Sequence, residues 1–307
     1  MAQQSLLERI RKDYWRNKVL ILMILPVIIY FLVFKYFPMY GALIAFKNFK
    51  PRLGFAGSKW VGFEQFEKFF NSRYFSRILG NTIKLSLMEI VFGFPAPVIL
   101  ALMLNEVRRN KFKRAVQTIT YMPHFISMVV MCGIVVSFCD TNGIVTRFFS
   151  SLTETAPRNL LTVPAYFRPI YVISGIWQEV GFGSIIYLSA LSTIDPVLYE
   201  AATIDGANRW KQLIHVTIPG ILMTVMIMLL LRVGRIMSVG YEKVLLLYNA
   251  STYESAEIIS TFVYKRGLLD SDYSLGAAID LFNSVINLVL LLVFNSLSKR
   301  LTETSLF

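Results

Sequence analysis

Residues 195–221 read DPVLYEAATIDGANRWKQLIHVTIPGI, and this stretch decides the architecture. Asp195 before Pro196 is a helix start: a carboxylate at the N-cap and a proline in the first turn. The spacing predicts a short helix from Val197 to Asp205. Gly206 ends it, because glycine is free to take the backbone conformation that closes a helix. A second helix starts near Ala207 or Asn208, and Pro219 opens a long apolar run. A helix of about ten residues is about 15 Å long. Ala201 and Ala202 are small residues on a short helix between two apolar runs. An exposed helix does not need them, whereas one seated in a partner's groove does. Glu200, just before them, can meet a basic residue of that partner through a charge-assisted hydrogen bond.

The rest of the chain places this helix at a membrane face. Of 307 residues, 55% are hydrophobic and only 16% are charged. Soluble domains carry about 25% charged residues. The mean hydropathy is +0.56. A bilayer core about 30 Å thick needs about 20 mostly apolar helical residues. Six segments qualify, at about 19–37, 80–105, 115–139, 170–193, 219–239 and 277–298. The expected fold is therefore an all-α polytopic membrane protein with six transmembrane helices.

Lys and Arg set the orientation. Arg9, Arg11, Lys12, Arg16 and Lys18 precede the first span. Arg108, Arg109, Lys111, Lys113 and Arg114 join spans two and three, and Lys299 and Arg300 follow the sixth. These segments and the loop at 195–219 share one side, assigned to the cytoplasm together with both termini. The expected layout is a cytoplasmic segment at 1–18, a transmembrane domain at 19–298 and a cytoplasmic tail at 299–307. Residues 35–78, on the outside, still hold eight Lys and Arg. The apolar run after residue 18 has no small-residue cleavage site behind it, so it reads as an uncleaved first span.

Several function classes fall away. The net charge of +12 recurs on both faces of a membrane, which does not suit nucleic acid. Cys132 and Cys139 are seven residues apart in one apolar run and read as membrane-buried thiols. His124 and His215 have no motif around them, so neither a metal centre nor an intramembrane hydrolase is indicated. No G-x-x-x-x-G-K-[ST] occurs, so any ATP hydrolysis belongs to another chain.

Glu200-Ala201-Ala202, three residues, Gly206, nine residues, then Val216-Thr217-Ile218-Pro219 resembles the EAA loop of ABC importer permeases. That family's pattern is E-A-A-x3-G-x9-I-x-L-P, and Val216 and Ile218 replace its Ile and Leu conservatively. WVGFEQFEKFF, NTIKLSL, YMPHFIS and IWQEVGFGSIIYLSALSTIDPVLYEAA are similar to permeases of the maltose and polysaccharide importer group. TFVYKRGL and LFNSVINLVLLLVFN resemble its complex-oligosaccharide branch.

The resemblance implies a type I importer permease fold in a bacterial cell membrane. It implies pairing with a second related permease, two cytoplasmic ATPase subunits that bind ATP and Mg, and an external solute-binding protein that delivers an oligosaccharide. This chain itself would hold no cofactor. Glu200, Ala201, Ala202, Asp205, Gly206 and Pro219 would couple it to the ATPase, and the first helix would lie against the partner permease. A peptide or amino-acid importer of the same architecture is the alternative. More distant is a secondary transporter driven by an ion gradient.

Sugars are held by aromatic stacking together with amide or carboxylate hydrogen bonds. Trp177, Gln178, Glu179 and Tyr187 in the fourth span, and Asp280, Asn283 and Asn287 in the sixth, are the candidate path residues. Asn283 and Asn287 share a helix face. For the amides, helix–helix packing is the competing role. For Glu89, Glu179 and Asp280 it is pairing between helices, for example with Lys84, Arg232 or Arg235. Gly181 and Gly183 serve either close helix approach or a kink.

Overall fold

In the computed structural model, residues 17–302 are described, apart from Val239. The N-terminal segment before residue 17 and the last five residues of the expected tail lie outside the described residues. The helices that position the site are α1 (Lys18–Phe46), α2 (Phe75–Glu106), α3 (Asn110–Tyr121), α4 (Met128–Cys139), α5 (Pro164–Leu191), α6 (Pro196–Ile204), α7 (Arg209–Val233), α8 (Tyr241–Leu247) and α9 (Tyr273–Thr302). A two-stranded antiparallel hairpin, Lys47–Asn48 with Lys59–Trp60, follows α1.

Prolines shape the long helices. A proline lacks the backbone N–H and its ring crowds the carbonyl four residues earlier. Three wide π-turns relieve this crowding. Leu32–Tyr36 precedes Pro38, Glu89–Gly93 precedes Pro95, and Leu213–Thr217 precedes Pro219. Each ends two residues before its proline, so the helix continues instead of stopping.

Two apolar stretches are broken. The run expected at 115–139 divides into α3 and α4 at a 3₁₀ turn, Met122–Phe125. The run expected at 219–239 ends as a helix at Val233, and a turn carries the chain into α8. A break frees backbone groups that lipid cannot satisfy. Here side chains supply the partners. Asn287 Oδ1 accepts from Met237 N–H at 3.0 Å, and Ser86 donates to the Ile236 carbonyl. At the other break, Gln178 Nε2 donates to the Ile126 carbonyl at 3.4 Å, and Ser127 caps α4.

Helix α5 is the hub. It packs on α2, α3 and α7. Gly181 faces the backbone of α3, where a Cβ would lie 2.1 Å from the Thr120 carbonyl oxygen. Gly183 meets the Pro97 ring of α2, at 3.2 Å from a built Cβ. Both glycines therefore serve close approach, and α5 runs unbroken through them. One core joins α4, α5 and α8 through Met131, Phe167, Tyr171 and Val244, with Cys132 and Cys139 buried as free thiols. A second joins α2, α5 and α7 through Ala101, Tyr187, Leu191 and Ile221.

The segment around 249–266 is clamped onto α2 and α5. Asn81 Nδ2 donates to the carbonyls of Glu254 and Glu257, and Arg168 donates to Asn81 Oδ1. The buried Glu257 carboxylate pairs with Arg77 and Lys265. Burial works against the charge of Lys265, but the Tyr253 hydroxyl and Glu257 outweigh it and hold its pKa above the ordinary lysine value. By contrast, the Lys18–Phe31 stretch of α1 has no buried residue, and the chain rejoins the bundle where Tyr40–Phe46 packs on α9.

Candidate functional site: a cavity beside the fourth span and an exposed helix below it

A cavity of about 710 Å³ opens between α2, α5, α7 and α8. Gln178, Glu179 and Tyr187 of α5 line it, together with Glu89 of α2 and Arg232 at the end of α7. Trp177, Asp280, Asn283 and Asn287 are not among the lining residues. Trp177 sits on another face of α5, 43% exposed. Asn287 is engaged by the break after α7 and also donates to Ser238 Oγ. Asn283 is buried with its Oδ1 unpartnered, and Asp280 is exposed on α9.

The charges in the cavity divide into paired and unpaired groups. Arg232 pairs with Glu89 across α7 and α2. His124 Nδ1 lies 3.0 Å from Glu179 Oε2, and its ring stacks on Phe182 at 3.8 Å. Lys84, on α2, is exposed and makes no ion pair among the described residues. Arg235, in the turn after α7, and Lys243, on α8, also line the cavity. The candidate set drawn from sequence omits Lys243, which falls there in an outer segment. No local signal in the sequence marks it.

The short helix α6 leaves α5 at a bend of 72°. Asp195 accepts from Val197 N–H at 2.9 Å, with Pro196 in the first turn. Gly206 closes the helix at φ +73°, a left-handed conformation that favours glycine. Tyr199 then ties α6 to Thr217 through a 3.1 Å contact, and Gln212 donates to Thr203 Oγ1 and to the Ala207 carbonyl. The outer face of α6 is uncovered: Val197, Leu198 and Ile204 are 60%, 52% and 87% exposed, and Glu200 and Ala201 beside them are exposed too. Apolar residues clustered on a short polar-flanked helix mark a protein contact.

The profile of the family described as "Binding-protein-dependent transport system inner membrane component" matches residues 93–303, which include the cavity, the bend and α6. The chain belongs to this family. It is a membrane-embedded transport component, with a type I ABC permease fold.

Relatives in this family run nearly its full length. Protein LplB of Bacillus subtilis is 42% identical over 95% of this chain and 92% of its own. The polygalacturonan/rhamnogalacturonan transport system permease protein YteP of the same organism is 40% identical over 95% and 91%. A bacterial ABC transporter involved in the import of the acidic polysaccharide alginate has a chain that superposes with a TM-score of 0.88. That chain is 44% identical and the match covers 96% of this chain and 99% of that one. In a second structure the alginate transporter is in complex with an alginate pentasaccharide-bound periplasmic protein. There the TM-score is 0.89, at 43% identity, with coverage of 97% and 100%.

Proposed function

We propose that this permease is one half of the path of an ABC importer for oligosaccharides cut from a polysaccharide. The cavity beside α5 is its part of that path, and α6 is its contact with a separate ATPase subunit. The observation that carries the reading is the direct joining of these two features through α5. α5 walls the cavity with Gln178, Glu179 and Tyr187, then bends directly into α6, whose apolar face is open. Amide, carboxylate and aromatic groups on one wall suit a sugar. YteP, a polygalacturonan/rhamnogalacturonan transport permease by name, and the alginate transporter support the substrate class.

In the working transporter a second, related permease closes the path. An external binding protein loads it from the side of the Glu257 clamp. ATP and Mg are held by cytoplasmic partners, on the same side as α6 and both termini. Closure of the ATPase moves α6, and α7 moves with it because Tyr199–Thr217 and Gln212–Thr203 lock α6 to α7.

The test uses the full transporter in proteoliposomes. Ile186 lines the cavity and is 40% exposed. Ile186→Cys, alkylated with a bulky maleimide, abolishes ATP-driven oligosaccharide uptake, whereas the unlabelled variant transports. Gly206→Trp abolishes uptake while membrane insertion is unchanged. Uptake at the parent rate in labelled Ile186→Cys refutes the path, and uptake at the parent rate in Gly206→Trp refutes the coupling.

A further inference from the structure

The cavity holds three cations and two carboxylates: Arg232, Arg235 and Lys243 against Glu89 and Glu179. Glu89 is engaged by Arg232, and Glu179 lies against His124. Among the described residues neither Arg235 nor Lys243 forms an ion pair. Lys243 is only 4% exposed. A buried ammonium with no carboxylate in ion-pair contact is costly, and such groups inside membrane proteins mark functional sites.

The structure holds Lys243 in place without neutralising it. Its Nζ donates to the Tyr171 carbonyl at 2.7 Å and sits 4.5 Å from the centre of the Tyr171 ring. Gly175 leaves it room, since a Cβ there would come within 3.0 Å of Nζ. An ammonium has three donors, so two remain beyond the carbonyl bond. Arg235 adds a planar fork suited to a carboxylate, from a turn whose shape is kept by Asn287 and Ser86.

We propose that Arg235 and Lys243 form a carboxylate subsite, and that the path selects uronate-bearing oligosaccharides over neutral ones. The subsite rests on the cavity being the sugar path. It concerns preference for charge, which that reading leaves open. Glu89 and Glu179 do not cancel it, because the three cations outnumber them and leave the cavity one net positive charge.

The experiment measures protection of Ile186→Cys from maleimide in the reconstituted transporter. Trigalacturonate and trimannuronate are the probes, each compared with its methyl ester, which keeps the sugar and removes the charge. Each acid is expected to protect at about one-tenth the concentration its ester needs, the effect of one charge-assisted hydrogen bond. Arg235→Gln and Lys243→Met each raise the half-protecting concentration of the acid about tenfold. Both raise that of the ester by much less. Arg235 is exposed and makes no side-chain hydrogen bond or ion pair among the described residues, so its variant removes a charge without breaking such a bond.

Equal protection by acid and ester, absence of protection by either acid, or variants that shift acid and ester alike would each overturn the subsite. Uptake at the parent rate after Ile186→Cys is fully labelled overturns the path instead, so the two failures are distinguishable.

Discussion

Gly181→Ala tests the packing that holds the site together. A single methyl group added at Gly181 would stand 2.1 Å from the Thr120 carbonyl oxygen, 2.3 Å from its carbon and 2.8 Å from the Tyr121 nitrogen. Ordinary contact begins near 3.4 Å, so relief requires a displacement of more than an ångström. The neighbour is backbone, and it cannot rotate aside as a side chain would. Either α3 separates from α5 or both helices bend. Overpacking of this kind costs about 1–3 kcal/mol. A gain in helix propensity of about 1 kcal/mol for replacing glycine offsets part of it.

Gly133→Ala supplies the contrast. It lies in α4 with nothing within 4 Å of the added carbon, so only the propensity gain applies. Thermal unfolding in detergent, followed by exposure of the buried Cys132 and Cys139 to a thiol dye, reads both variants. Gly181→Ala should unfold several degrees below the parent and Gly133→Ala at or above it. A Gly181→Ala protein as stable as the parent would refute the close approach of α3 and α5.

Two further outcomes follow from the polar groups around the cavity. Arg232→Met leaves the Glu89 carboxylate without its partner, so it should destabilise the protein more than the double change Glu89→Gln with Arg232→Met. A double-mutant cycle on unfolding in detergent measures the difference, expected at about 1 kcal/mol or more for a half-buried pair. Asn287→Leu removes the acceptor for Met237 N–H and the donor to Ser238, leaving an unsatisfied group that costs about 1–3 kcal/mol. Hydrogen exchange of the 234–240 turn should rise in that variant while exchange in α2 stays as in the parent.

Much of the architecture was legible without coordinates because it rests on local properties. Span length is a matter of apolar residues in a row. The α6 helix is announced by Asp195, Pro196 and Gly206, each acting on backbone within a few residues of itself. The π-turns before Pro38, Pro95 and Pro219 were not legible in this way, since Pro26 and Pro169 sit in regular helix. The EAA spacing pointed to the family for a related reason: a helix of set length must reach one partner surface.

The site was legible only in part. Gln178, Glu179 and Tyr187 were in view because they sit on one strongly apolar helix, where a polar group stands out. Asp280, Asn283 and Asn287 stood out equally, yet α9 does not turn them into the cavity. Periodicity shows that two residues share a face, but it does not say what that face meets.

The sequence by itself determined the all-helical membrane class, the capped helix that leaves the bundle and the family. Only the tertiary structure decided the breaks within two of those runs, the pairing of Arg232 with Glu89 143 residues away, and the placing of Lys243 on a carbonyl 72 residues away. The physical reason is range. Caps, prolines and apolar length act over one or two helical turns. Which cation is left unpaired in a cavity depends on how distant helices approach, and that is set here by glycine contacts and side-chain bonds to broken backbone, which no single segment encodes.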